Sequence, residues 1–159
     1  EAEVAVRNWF NLEDPKGFTP LDRELTVEAA LNRAPMRGII DRVDDLGGGR
    51  VAIVDYKTGK QPPKKKFKEE ALLPIRIYAA AMSTQSGITV DEVRLLYVSP
   101  AHQGEIREPV TRESVAETKR QFASIWKEIK DAARQGRFES RTNPLCDWCD
   151  AKPICPAWT

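Results

Sequence analysis

The sequence predicts an α/β fold, a mixed central β-sheet flanked by α-helices and followed by an irregular, cysteine-containing tail. Three observations predict it. Five β-branched or alternating runs read as strands, stretches with helical spacing stand before, between and after them, and the last two dozen residues follow neither period. The order helix, strands, helix, strands, helix places helices against the faces of one sheet. The chain has 159 residues, room for one substantial core. It is read as a single domain, 1–159, with residues 136–159 packed on it as a Cys-rich tail.

From Glu1 to Leu12 the apolar positions Ala5, Trp9 and Leu12, with Val6 and Phe10 beside them, suit a first helix that stops at Asp14-Pro15. Leu21, Leu25, Val27 and Ala29 then alternate with polar residues as a half-exposed strand, which Arg23 interrupts. Met36–Asp44 and Arg50–Lys57 are apolar runs joined by Gly47-Gly48-Gly49, where glycine supplies the positive φ of a tight hairpin. The second run is apolar on both faces and therefore central. Lys60–Lys68 is a Lys- and Pro-rich loop. Phe67, Ala71, Ile75, Tyr78, Ala79 and Met82 recur at helical spacing after it, with Pro74 expected to break or restart the helix. Val93–Val98 and Glu105–Val110 form a second strand pair, with His102 in the loop between them. In the longest helix Val115, Phe122, Ile125, Trp126, Ile129 and Ala133 make the buried stripe, Ser114 and Glu117 a capping box, and Gly136 the stop.

Composition excludes some classes of function. No apolar run approaches the roughly 20 residues of a membrane-spanning helix, and no secretory or lipidation motif is seen, so a soluble cytoplasmic protein is expected. The net charge of +1 gives no overall positive field. A nucleic-acid partner would have to be met by local charge. The three cysteines fall within ten residues, an odd number that points to a metal centre rather than a disulfide framework.

The hairpin carries the chemistry. If it is symmetric about Gly48, Asp41 lies opposite Asp55, and each shares its strand face with apolar neighbours, Asp41 with Ile39 and Val43, Asp55 with Val51 and Ile53. Two carboxylates so placed repel one another and lose hydration; a divalent cation offsets both costs, and carboxylate oxygen is the ligand that Mg²⁺ or Mn²⁺ prefers. Lys57, two residues past Asp55, shares its face and can reach a phosphate or a bound water. A plain Asp–Lys salt bridge is the alternative. Asp44 and Asp45 read as turn residues.

Gly38-Ile39-Ile40-Asp41-Arg42, Val54-Asp55-Tyr56-Lys57-Thr58-Gly59, and Cys146-Asp147-Trp148-Cys149 with Cys155-Pro156 together resemble the RecB-like nucleases of the PD-(D/E)xK superfamily, close to its CRISPR-associated and phage exonucleases. The resemblance runs through nearly the whole chain and implies a restriction-endonuclease-like core. It implies that Asp41 and Asp55 hold the metal, that Lys57 is the catalytic lysine, and that Glu24, or else Glu28, is the upstream acidic residue. It also marks two departures. Tyr78 stands where the family has a Tyr, but Pro74 takes the place of the Gln four residues earlier, so Tyr78 is either a DNA contact or a core residue. The His and further Cys of the family's N-terminal segment are expected ahead of Glu1, as in an N-terminally truncated chain.

Cys146, Cys149 and Cys155 suit an iron–sulfur cluster or zinc, with free structural cysteines as the alternative. The resemblance favours a [4Fe–4S] cluster whose fourth Cys lies outside this chain. Arg42, Tyr78, Lys60, Lys64, Lys65 and Lys66 are the candidate DNA contacts. The expectation is therefore a Mg²⁺- or Mn²⁺-dependent deoxyribonuclease, an exonuclease of DNA repair, recombination or phage DNA processing, with DNA and a helicase or recombination protein as partners. The alternative is an inactive nucleic-acid-binding or assembly module that keeps the fold.

Overall fold

The computed structural model describes residues 2–59, 65–100 and 102–158, with residues 65–67 and 102 described by backbone alone. Helix α1 (Ala2–Leu12) leads into strands β1 (Pro20–Leu31), β2 (Ala34–Gly47) and β3 (Arg50–Lys57). Helix α2 (Lys65–Met82), strands β4 (Thr89–Ser99) and β5 (His102–Pro109), and helix α3 (Arg112–Gln135) follow, and the tail holds two 3₁₀ turns, Pro144–Trp148 and Lys152–Ile154. The five strands form one sheet in the order β1-β2-β3-β4-β5. It is mixed: β3 pairs parallel with β4, and every other pairing is antiparallel. A parallel pair needs a crossover, and α2 is that crossover.

The chain forms two compact units, Glu1–Ser124 and Ile125–Thr159. In the first, β3 is the centre, with Val51 to Asp55 all buried, as its two-sided apolar sequence predicts. One face of the sheet presents Val27, Ile40, Val43, Val51, Ile53, Val93 and Leu95 to Leu72, Ile75 and Ala79 of α2. The other face lies towards α1, which packs on β4 and β5. Asn8 of α1 donates to the carbonyls of Val98 and Ser99 at 3.3 and 2.8 Å.

Four expectations are corrected. Pro74 lies inside α2 without ending it; the residue is exposed, so the clash and the lost N–H bond fall on the solvent side. His102 opens β5 rather than sitting in a loop. The cap of α3 is Thr111 with Ser114: the Ser114 amide donates to Thr111 Oγ1 at 3.1 Å and the Thr111 amide to Ser114 Oγ at 3.0 Å. The expected stripe of α3 is covered only in its first half, where Val115 and Phe122 pack on the core, while Ile125 and Ile129 are exposed. Gly136 does stop the helix, at φ +62°.

The second unit, described by itself, is the last part of α3 and the tail. Leu145, Trp148 and Ile154 are exposed there, so its turns carry apolar side chains without burying them.

Candidate active site

The Gly47–Gly49 turn, all three at positive φ, sets the hairpin register. Arg42 pairs with Val54, Val43 with Ile53, Asp44 with Ala52 and Asp45 with Val51, and the irregularity is confined to the step from Asp45 to Gly47. The β2–β3 ladder ends at Arg42 with Val54, and Asp41 and Asp55 are the next residues of the two strands. The two carboxylates feel one another. Burial pushes the Asp55 carboxyl up, Lys57 pulls it down, and the charge of Asp41 pushes it up again, the net shift being upward.

Strand β2 does not alternate as its sequence suggests. Ile40 is fully buried in the α2-side core and Ile39 is exposed, yet Val43, three residues on, is in the same core. The side chains therefore change step between Ile40 and Val43. The β1–β2 ladder misses a pair at this level, running from Arg23 with Arg42 to Leu25 with Ile40, and Glu24, the residue skipped, is held at φ +50°. A left-handed residue rotates the chain out of the pleat. The change of step in β2 falls at this same level, between Ile40 and Val43.

Asp55 continues the face of Val51 and Ile53 and is 8% exposed. Lys57 Nζ lies 2.6 Å from Asp55 Oδ2. Among the described residues, this ion pair is the contact recorded for that buried oxygen. Asp41 Oδ2 accepts the Tyr56 amide at 2.8 Å. No pattern in the sequence points to Tyr97, which is level with Lys57 on β4 and 3% exposed. Burial raises its phenol, Lys57 lowers it and Asp55 raises it, so it faces both. Its signal is tertiary, a parallel neighbour separated by 40 positions.

Among the described residues, no group of three or more His, Cys, Asp or Glu is close enough to hold a metal ion. Glu24 thus does not join Asp41 and Asp55 in a three-acid cluster, and Glu28 pairs instead with Arg37 at 3.2 Å. Two carboxylates, one of them buried and raised by the charge of the other, still match what Mg²⁺ asks of a protein, which is one or two carboxylates with water and phosphate completing the shell. The three cysteines do not meet that standard. Cys146 Sγ accepts the Asn143 amide at 3.3 Å, Cys149 is exposed, and the thiols are not gathered as a ligand set.

Arg42 does not meet the expectation of a phosphate contact. It is 2% exposed and lies on the face opposite Asp55, with Val54 and Arg94 in line across the sheet. Its guanidinium donates to both Glu13 oxygens at 2.8 and 2.9 Å and to Asp44 at 3.0 Å, and stacks 3.8 Å over the Phe18 ring. Asp44, read from sequence as a turn residue, is a buried member of this group. Glu13 also accepts from Trp9 at 2.9 Å and forms an ion pair with Arg94 at 2.9 Å. Tyr78 is half-buried against the core, its ring so close to Gly38 that a Cβ there would lie 2.3 Å from Cε1. Lys60 and Lys64 lie outside the described residues; Lys65 and Lys66 open α2.

A cleft of about 440 Å³ between α2, β5 and the start of α3 is lined by Glu69, Glu70, Glu108 and Glu117 with Arg76. Its acidic lining would repel a phosphate, so it does not compete with the Asp41–Asp55 site.

The model of the PD-(D/E)XK nuclease superfamily matches residues 2–156. The chain belongs to this superfamily. PD-(D/E)XK nucleases hydrolyse phosphodiester bonds in nucleic acid, and they generally work with Mg²⁺ or a similar divalent metal. Among solved structures, the protein called SSO0001 is 15% identical with a TM-score of 0.56, over 99% of this chain and 69% of that one. A Eubacterium rectale protein named "Putative exonuclease" is 13% identical with a TM-score of 0.49, over 94% of this chain and 64% of that one. No curated protein matches. Among the described residues of this PD-(D/E)XK chain, no helix is long and apolar enough to cross a membrane.

Proposed function

We propose that the chain is the nuclease domain of a Mg²⁺- or Mn²⁺-dependent deoxyribonuclease of RecB-like type, acting as an exonuclease in DNA repair, recombination or phage DNA processing. The observation that supports it most is Lys57 Nζ 2.6 Å from the buried Asp55 Oδ2, with Asp41 near enough for its charge to raise the Asp55 carboxyl. Asp41 and Asp55 would hold the cation, and Glu24, on the neighbouring strand at the break in pairing, is the upstream acidic residue. When bound, the cation supplies a Lewis acid at the scissile phosphate and acidifies a water.

The protein groups have separable tasks. Asp55, buried and beside Asp41, is a poor place for an unshared negative charge, so the pair favours whatever positive charge arrives. Lys57 neutralises Asp55 before substrate binds and places an ammonium where a phosphate oxygen gains charge in the transition state. The Tyr56 amide orients Asp41. Lys60, Lys64, Lys65 and Lys66 follow the catalytic strand in sequence and would neutralise DNA phosphates there. Changing all four to Ala should reduce the salt slope of DNA binding by about 0.9 for each phosphate that is no longer neutralised. An unchanged slope measured by fluorescence anisotropy would remove the lysines from the interface.

Cleavage of end-labelled DNA with Mn²⁺, with EDTA, and with Asp55→Ala tests the central reading. Asp55→Ala and Lys57→Ala should each lower the rate at least about a hundredfold, as loss of a group acting on transition-state charge does. Equal cleavage by native chain and Asp55→Ala would exclude the site. A [4Fe–4S] cluster on Cys146, Cys149 and Cys155 has the spacing and the resemblance in its support; iron and sulfide analysis of protein purified without oxygen tests it, and absence of both would end it. No step of hydrolysis runs through those thiols.

A further inference from the structure

Arg42 follows Asp41 and Tyr56 follows Asp55, and neither shares the face of the carboxylate beside it. Their side chains meet on the other side of the sheet, where the Arg42 guanidinium donates to the Tyr56 hydroxyl. On the near side the Tyr56 amide donates to Asp41 Oδ2 at 2.8 Å. Strands β2 and β3 are thus tied twice at one level, Tyr56 taking part in both ties, with Arg42 in one and Asp41 in the other.

The rear tie has little freedom. The Arg42 side chain is 3% exposed, its fork is taken up by Glu13 and Asp44, and the Phe18 ring covers it. Tyr56 lies between Asp55 and Lys57 in the chain, so any rotation of β3 about its axis at Tyr56 carries both functional side chains with it. A planar fork held on several sides is a more exact anchor than a single flexible ammonium.

We propose that Arg42 and Tyr56 are positioning residues, which set the separation of Asp41 and Asp55 from behind the sheet and thereby the affinity of the pair for a divalent cation. The inference rests on the reading of Asp41 and Asp55 as the cation-binding carboxylates. A tie that served stability alone would leave metal affinity unchanged in any variant that still folds. A positioning tie acts on affinity, because groups that orient metal ligands are commonly worth about 10–100-fold in binding or activity.

The test is Mn²⁺ binding to the intact chain by isothermal titration calorimetry, for the native protein, Tyr56→Phe, Arg42→Lys and Asp55→Ala, with kcat and KM for DNA cleavage measured beside it. Tyr56→Phe removes one hydroxyl and keeps the ring. It should weaken Mn²⁺ binding by about tenfold and lower kcat at limiting Mn²⁺ in proportion, with KM for DNA within about twofold, and excess Mn²⁺ should restore part of kcat. Arg42→Lys should act in the same direction. Native Mn²⁺ affinity in folded Tyr56→Phe, with binding lost in Asp55→Ala, would overturn the positioning role and leave the metal site standing. If Arg42→Lys fails to fold, Tyr56→Phe decides alone. Native Mn²⁺ binding by Asp55→Ala would instead overturn the reading on which the inference rests.

Discussion

Gly38 is held to glycine by a neighbour: its φ is ordinary, and the obstacle to a side chain is the Tyr78 ring, whose Cε1 would lie 2.3 Å from a Cβ. That ring is packed against the core and cannot swing away cheaply. Gly38→Ala should therefore destabilise by about 1–3 kcal/mol, the usual cost of overpacking. Urea unfolding measures it, and combining Gly38→Ala with Tyr78→Leu should cost less than the sum of the two single changes. Glu24 presents the opposite case, a residue whose backbone alone argues for glycine, at φ +50° on an exposed strand position. Glu24→Gly should be as stable as the native chain or up to about 1 kcal/mol more so, since the left-handed penalty disappears. If Glu24 serves the acidic site, the same variant loses cleavage; a stable and fully active Glu24→Gly would remove it from the proposal.

At the scale of elements, charged side chains join helices to the sheet. Arg76 of α2 donates from Nε to Glu108 of β5 at 2.7 Å and from Nη1 to Glu69 at 2.7 Å. Glu13, just past α1, binds Arg42 of β2 and Arg94 of β4. Burial raises the Glu13 carboxyl, but the bonds from Arg42 and Trp9 and the charges of Arg42 and Arg94 outweigh it, and the net shift is downward. A carboxyl lowered in the folded state stabilises fully above its unfolded pKa and loses that contribution as pH falls through the folded value. Asp44 works against this trend, because burial leaves its carboxyl raised despite Arg42. Glu13→Gln should accordingly be less stable at neutral pH and lose less on acidification than the native chain, as thermal unfolding across the acid range would show. A parallel acid limb in both proteins would refute the assignment. At α3 the Thr111–Ser114 reciprocal cap predicts that Thr111→Ala costs about 1 kcal/mol.

Across the whole molecule, protection should be graded. The amides of β3 and β4, buried at the sheet centre, should exchange slowest, and those of residues 137–158 earliest, because that stretch makes mainly short turn bonds around exposed side chains. Hydrogen exchange read by mass spectrometry checks the order; a tail as protected as β3 would contradict it.

What the sequence determined by itself is local and periodic. Arg50–Lys57 could be bounded as a strand because both its faces are apolar, and the three glycines between it and β2 fixed the register of Asp41 against Asp55 to within the one residue that a bulge in the loop would add. Gly136 ended α3 for the same kind of reason, a backbone angle that glycine takes without cost. Other features depended on residues far apart in the chain. Arg42 looks like a cation beside an acid until Glu13, Asp44 and Phe18 surround it. The change of step in β2 falls opposite Glu24 on another strand, Tyr97 reaches the site only through parallel pairing with β3, and the open half of α3 shows apolar spacing with its side chains exposed. Periodicity reports which residues share a face; which partner covers that face is set by packing, and packing is decided only when the whole chain has closed.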